Sequence, residues 1–182
     1  MIRARWYAGC VGVQLRASLF IATLLACACG GGAAYPPSTQ HPLLAKPLPE
    51  IHHRQTLDGK PFDAAQLQGK AVLVKFFADY CQPCRETLPA AERIHEAHPD
   101  VAFVGIDEDE SSETASALAQ RFGLTFAVVH DQGNVLSGRF RVSAMPMTFV
   151  ADASGTVKWV GGEGQTEDDL RRAVEAALAR LP

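Results

Sequence analysis

Cysteine is scarce where a disulfide scaffold would need it. Of five cysteines in 182 residues, Cys10, Cys27 and Cys29 fall in the first thirty, which leaves Cys81 and Cys84 as the only pair in the remainder. Small secreted scaffolds are stapled by several bridges, and a single Cys-x-x-Cys cannot do that work. No apolar run approaches the ~18 residues of a membrane-spanning helix. A basic stripe is lacking too. Setting aside three N-terminal arginines leaves 14 basic residues of 17 against 20 acidic ones, a net charge of −6. That balance argues against nucleic acid as a partner. What remains is ordinary for a globular chain: 47% hydrophobic and 20% charged residues, enough for one domain and an appendage.

Acidic residues are absent from residues 1–49. Arg3, Arg5 and Arg16 there precede a short apolar run over residues 17–26, the pattern of a secretory leader. Leu24-Leu25-Ala26-Cys27 resembles a bacterial lipobox, in which Cys27 carries lipid and becomes the first mature residue. Cys29 fits less well, because Ala26 and not a large aliphatic residue stands three positions before it. A simple leader cleaved near Ala26 or Ala28 and an uncleaved anchor are the competing readings. The lipobox reading divides the chain into a leader (1–27), a flexible linker rich in Gly and Pro (28–49) and a folded domain (50–182). It places that domain outside the cytoplasm of a bacterium, on the periplasmic side or at the cell surface, held to a membrane by lipid.

Along the domain, a weak strand pattern over residues 51–62 contains Asp58-Gly59, a hairpin-turn signal. Residues 71–77 are apolar on both faces except at Lys75, as in a central strand covered by helices. Residues 86–98 read as a helix kinked at Pro89, with Leu88, Ala91, Ile94 or His95, and Ala97 inward. A second buried strand over 101–106 leads to a helix capped by Ser111 or Ser112 and stopped at Gly123. Residues 126–129 form a third strand, followed by a polar loop at 131–134. Residues 147–150 and 157–160 pair as an antiparallel hairpin. Thr166 and Asp169 start a last helix in a capping-box pattern. Strands alternating with helices predict an α/β fold with a central mixed sheet covered on both faces.

The chemistry sits at Cys81-Gln82-Pro83-Cys84, between the apolar strand and a helix. A helix N-terminus offers unpaired N–H groups and about half a positive charge, which favour thiolate over thiol. A zinc site would need a second ligand pair. A haem attachment site would need His at position 85, which is Arg. A copper carrier would want a different cysteine spacing and a partnered His, and His130 reads as a strand-edge residue. A peroxidatic cysteine preceded by Thr or Ser and Pro is absent. No metal or organic cofactor is expected.

Together with Phe76-Phe77-Ala78-Asp79-Tyr80, Pro89 and Met145-Pro146-Met147-Thr148-Phe149, this motif resembles the thioredoxin fold. More narrowly it is similar to the membrane-tethered TlpA/ResA-type thiol–disulfide oxidoreductases, over about residues 43–181. The resemblance implies an N-terminal hairpin and a central insertion near residues 107–123. It also implies a redox-active Cys81–Cys84 disulfide in which Cys81, the more exposed, attacks and Cys84 resolves. Lowering a thiol from ~8.5 to ~7 stabilises the anion by about 2 kcal/mol. Pro146 is implied as a cis-proline beside the cysteines, with Tyr80, Gln82, Pro83 and Met145 lining a substrate groove. The implied partners are protein thiols and disulfides, such as those of cytochrome c or oxidase maturation, and a membrane thiol donor. Disulfide oxidation or isomerisation and copper carriage are the alternative activities. Two departures bear on mechanism. Tyr80 stands where the family usually has Trp, and Lys75 stands where thioredoxin buries an acid. Lys75 either snorkels to the sheet edge or is buried with a lowered pKa or beside a thiolate. Glu110 is the candidate substitute for proton transfer, unless it is one more charge in the solvated run 107–110.

Overall fold

The structure is a computed structural model and describes residues 40–52 and 54–179. The leader, Cys27, the first part of the expected linker and Leu181 lie outside the described residues.

Five strands form one mixed sheet in the order β3-β2-β1-β4-β5. β1 (Val72–Phe77) is central and runs into α1 (Gln82–Ala97). β2 (Ala102–Asp107), α2 (Ser112–Phe122) and β3 (Ala127–His130) continue the sheet to one edge. α3 (Val135–Phe140) leads back to β4 (Met147–Ala151), β5 (Val157–Gly161) and α4 (Glu167–Leu178). β1, β2 and β3 are parallel; β4 pairs antiparallel with both β1 and β5. The thioredoxin-like α/β architecture expected from the sequence is the one observed, with residues 108–123 forming the crossover to the edge strand.

Each element has a local cause. Every residue of β1 is buried, because α1 and α4 cover one face of the sheet while α3 and a short 3-10 turn (Ala64–Leu67) cover the other. Ser111 caps α2, accepting from the Thr114 N–H, and Gly123 ends it at φ +62°, a left-handed turn that glycine adopts at little cost. Thr166 and Asp169 form the reciprocal capping box of α4. The inner stripe of that helix is Leu170, Ala173, Val174 and Ala177.

The N-terminal hairpin forms as a short one around Gly59, with the Thr56 N–H donating to the Lys60 carbonyl at 2.9 Å, the Phe62 N–H to the Arg54 carbonyl at 2.8 Å, and a Gln55–Pro61 bridge between them. The structure corrects three expectations. The expected linker ends earlier than residue 49. Leu43, Leu44 and Leu48 pack against the core, and Leu48 donates its N–H to the Gly155 carbonyl at 2.8 Å; three leucines among the prolines supply the burial. Helix α1 begins at Gln82, ahead of the expected 86, because Cys81 itself is the N-cap, and its Ala97 faces solvent. Helix α3 was not expected at all. Its N-cap Asn134 makes no side-chain cap; the carboxylate of Asp131 accepts instead from the Leu136 and Ser137 N–H groups.

Gly105, on β2 opposite Lys75, has no room for a side chain. A Cβ there would lie 2.8 Å from Phe77 Cε1, 3.0 Å from Phe126 Cε2 and 3.1 Å from Val128 Cγ2. Gly105→Ala is expected to cost about 1–3 kcal/mol by overpacking, seen as a lower urea midpoint at unchanged slope.

Candidate active site

The site is built where β1 ends. Its apolar run stops at Phe77, and residues 78–80 turn the chain into α1. Cys81 occupies the N-cap in extended backbone (φ −86°, ψ 97°), and its Sγ accepts the Cys84 N–H at 3.1 Å. The sulfur therefore sits where the first turn of a sixteen-residue helix leaves N–H groups free. No acidic residue stands in that turn to oppose an anion. Cys81 and Cys84 are joined as a disulfide. Both are buried, Cys81 at 6% exposure and Cys84 at 0%, so Cys81 is the one nearer to solvent.

The residues expected to line a groove lie near this pair. Tyr80 is 67% exposed, Gln82 is exposed and Pro83 half-buried. The Met145–Pro146 bond is cis; Pro146 is buried, and Met145 packs against the cluster that holds both cysteines. The loop after β5 closes the same region, with the position of a Cβ on Gly162 3.9 Å from the Pro146 carbonyl oxygen. The turn itself is braced. The Asp79 N–H donates to both carboxylate oxygens of Asp109 at 3.1 and 3.0 Å. Arg85 Nε donates to the Asp79 carbonyl at 2.7 Å, and its guanidinium lies 3.3 Å from the Asp79 carboxylate.

The acidic run separates into different environments. Glu110 is exposed, while Asp107 and Asp109 are buried. Asp107 closes β2 opposite Phe77. Its Oδ2 accepts the Asp109 N–H at 3.2 Å and lies 3.1 Å from His130 Nδ1. Burial, and after it the hydrogen bond and charge of Asp109, push the Asp107 carboxyl up to about 8. Burial also raises Glu108, which accepts from the Ser137 hydroxyl. The Tyr80 phenol is raised by burial and by the charges of Glu108, Asp109 and Asp107. The buried acids near the cysteine turn are thus Asp107 and Asp109, and Glu110 faces solvent. Alternation along β2 could have pointed to Asp107, since it shares a face with the buried Phe103. His130 ends the edge strand as expected, but its bond to Asp107 was not legible from either strand alone.

Lys75 does not snorkel. It is fully buried, its Nζ has no hydrogen-bond partner, and burial draws its pKa down to about 7. A central strand with neighbours on both sides has no edge within reach of a lysine stem.

Over residues 44–160 the sequence matches the AhpC/TSA family. The chain belongs to that family. Among its relatives, the thiol–disulfide oxidoreductase ResA of Bacillus thuringiensis is 29% identical over 117 residues, covering 63% of this chain and 67% of the relative. The soluble secreted antigen MPT53 of Mycobacterium tuberculosis is 30% identical over 123 residues, covering 66% and 71%. A secreted disulfide oxidoreductase of M. tuberculosis, described as homologous to E. coli DsbE, superposes with a TM-score of 0.64 at 30% identity, over 68% of this chain and 93% of the other. A thiol:disulfide interchange protein of Chlorobium tepidum does so at 0.65 and 32% identity, over 74% and 98%. The protein is a thioredoxin-like thiol–disulfide oxidoreductase of the ResA/DsbE type, with Cys81 and Cys84 as its Cys-x-x-Cys pair. Among the described residues, no helix is long and apolar enough to cross a membrane.

The environment of Asp107 sets a pH dependence. Folded, it keeps its proton to about pH 8; unfolded, it loses it near the ordinary 3.8. The native state binds the extra proton between these values, so this contribution to stability is full below pH 4 and lost as pH rises toward 8. Asp107→Asn is expected to flatten that loss in urea midpoints measured at pH 4, 6 and 8.

Proposed function

We propose that the protein reduces disulfides in other extracytoplasmic proteins, is tethered to a membrane by lipid on Cys27, and is recharged by a membrane thiol donor. The observation that carries the reading is the position of the Cys81 sulfur. It caps α1, in a cluster that Met145 joins, beside a cis-proline.

The chemistry follows from that placement. In the reduced protein the helix end stabilises Cys81 as thiolate. The thiolate attacks one sulfur of a substrate disulfide, forming a mixed disulfide and expelling the other sulfur as thiolate. Cys84, one helical turn on and wholly buried, then attacks Cys81 Sγ. The second substrate sulfur leaves, the Cys81–Cys84 bond forms again, and two electrons have passed to the substrate. Tyr80, Gln82, Pro83 and Met145 form the lip against which the substrate chain lies, and Pro146 presents backbone beside it. Substrates on the routes that mature c-type cytochromes or oxidase copper sites fit a reductant in this setting, and the two M. tuberculosis relatives described as secreted support a place outside the cytoplasm.

Insulin reduction by the dithiol protein is expected to vanish in Cys81→Ser. Cys84→Ser should instead accumulate mixed disulfides with its substrates, visible as adducts that dithiothreitol releases. Stable retention of copper(I) with no disulfide turnover would overturn the reading. The tether is tested separately: Cys27→Ala should move the protein from the membrane fraction to the soluble extracytoplasmic fraction.

A further inference from the structure

A fully buried lysine without a partner is costly. Taking an ammonium out of water is opposed by several kcal/mol, and an apolar residue of similar volume would pack there freely. Lys75 occupies such a position on the central strand. Its same-face neighbours on β1, Leu73 and Phe77, belong to the apolar cluster that contains Cys81, Cys84 and Leu88. Directly across the antiparallel ladder stands Thr148, also fully buried, whose Oγ1 likewise lacks a partner. Two buried polar groups, not hydrogen-bonded to each other, therefore hold paired positions on the sheet beneath the cysteine helix. A threonine hydroxyl can donate to an amine and accept from an ammonium, so a side-chain rotation that joined the two would serve Lys75 in either protonation state.

We propose that Lys75 and Thr148 form a buried proton site that loads when the Cys81–Cys84 disulfide is reduced and unloads when it re-forms. The proposal rests on the oxidoreductase reading and deepens it. Reduction breaks the S–S bond with two electrons from a thiol donor and takes up two protons. One proton stays on a cysteine as thiol. The other goes to the Lys75 amine and leaves the second sulfur as thiolate, so the cluster gains an ammonium–thiolate pair with no net charge. On re-oxidation by a substrate disulfide the two electrons leave, the S–S bond closes, and the Lys75 proton departs with the substrate thiolate.

The surroundings favour this assignment. Opposite Lys75 on β2 is Gly105, which carries no charge. The ionisable groups on the elements packed over that face have partners of their own, although Asp107 Oδ1 and His95 Nδ1 are buried without one. Asp107 pairs with His130, and Glu92 accepts from the Thr125 N–H at 2.9 Å. His95 packs on Phe103 and Phe126. Asp169 is held by Thr166 and Arg172. Burial is the sole cause of the lowered Lys75 pKa, with no charged neighbour contributing. Below about pH 8, where Asp107 keeps its proton, a thiolate created by reduction would be the first counter-charge available to it.

Two measurements on the purified protein test the site. In protein labelled with 13C-lysine, the Lys75 Cε resonance is titrated in the disulfide and dithiol states. Its midpoint should rise at least one pH unit on reduction, a tenfold or greater gain in proton affinity. Glutathione equilibration from pH 6 to 9 counts protons taken up per two electrons. Wild type should keep a count near two above the Lys75 midpoint of the disulfide state, whereas Lys75→Met should fall toward one once the thiolate forms. Asp107→Asn, whose wild-type carboxyl titrates in the same window, should leave the Lys75 shift in place. Equal Lys75 midpoints in both redox states, or an unchanged proton count in Lys75→Met, would overturn the proposal. The wild-type titration decides the matter even where the variant does not fold. Dithiothreitol can reduce the disulfide in a protein that fails to reduce insulin, so a coupled Lys75 shift without turnover would sink the functional reading and leave this one standing.

Discussion

The antiparallel pairing of β1 with β4 is the constraint on which the site depends. Phe76 lies opposite Met147, so the residues that follow β1 and those that precede β4 emerge at the same end of the sheet. Cys81 is five positions beyond Phe76 and Pro146 one before Met147, although 65 positions of sequence separate them. One ladder of hydrogen bonds thereby brings the reactive sulfur and the cis-proline together. The same ladder sets Thr148 across from Lys75. Parallel pairing of β1 with β2 then delivers Asp107 to that end, and β3 adds His130.

Burying β1 on both faces keeps its side chains dry. Dryness is what gives the electrostatics its weight, because an unpaired or like-charged group in a low-dielectric setting shifts far more than the same group in water. Asp107 rises and Lys75 falls for this common reason. The two shifts push in opposite directions, so at neutral pH both groups tend toward their uncharged forms. Helix α1 supplies a preference for an anion nearby, and it does so at Cys81.

Much of the fold was legible because local and tertiary preferences agree. Ser111, Gly123 and the Thr166–Asp169 box mark helix ends by chemistry confined to a few residues, and the apolar run before Cys81 could only be a covered strand. Legibility failed where a partner lay elsewhere in the chain. α3 starts at an uncapped Asn134 and is satisfied by Asp131, outside the helix. Thr56 of the short hairpin also bridges to Val129 on the edge strand. Leu43, Leu44 and Leu48 looked like linker among prolines until the core surface they cover was in view.

The acidic run shows the division most plainly. Four consecutive acids at 107–110 are alike in sequence, and burial sorts them: Asp107 and Asp109 inside, Glu108 partly, Glu110 in solvent. The sequence alone determined that a Cys-x-x-Cys pair follows a buried strand and opens a helix, because strand periodicity, turn and cap are local. It also determined that a lysine stands in that strand. Only the tertiary structure decided that this lysine has no route to water, that a threonine from a distant strand faces it, and which acid of the run is buried. Those outcomes depend on register between strands far apart in the chain, and a side chain's solvation is a property of everything packed around it.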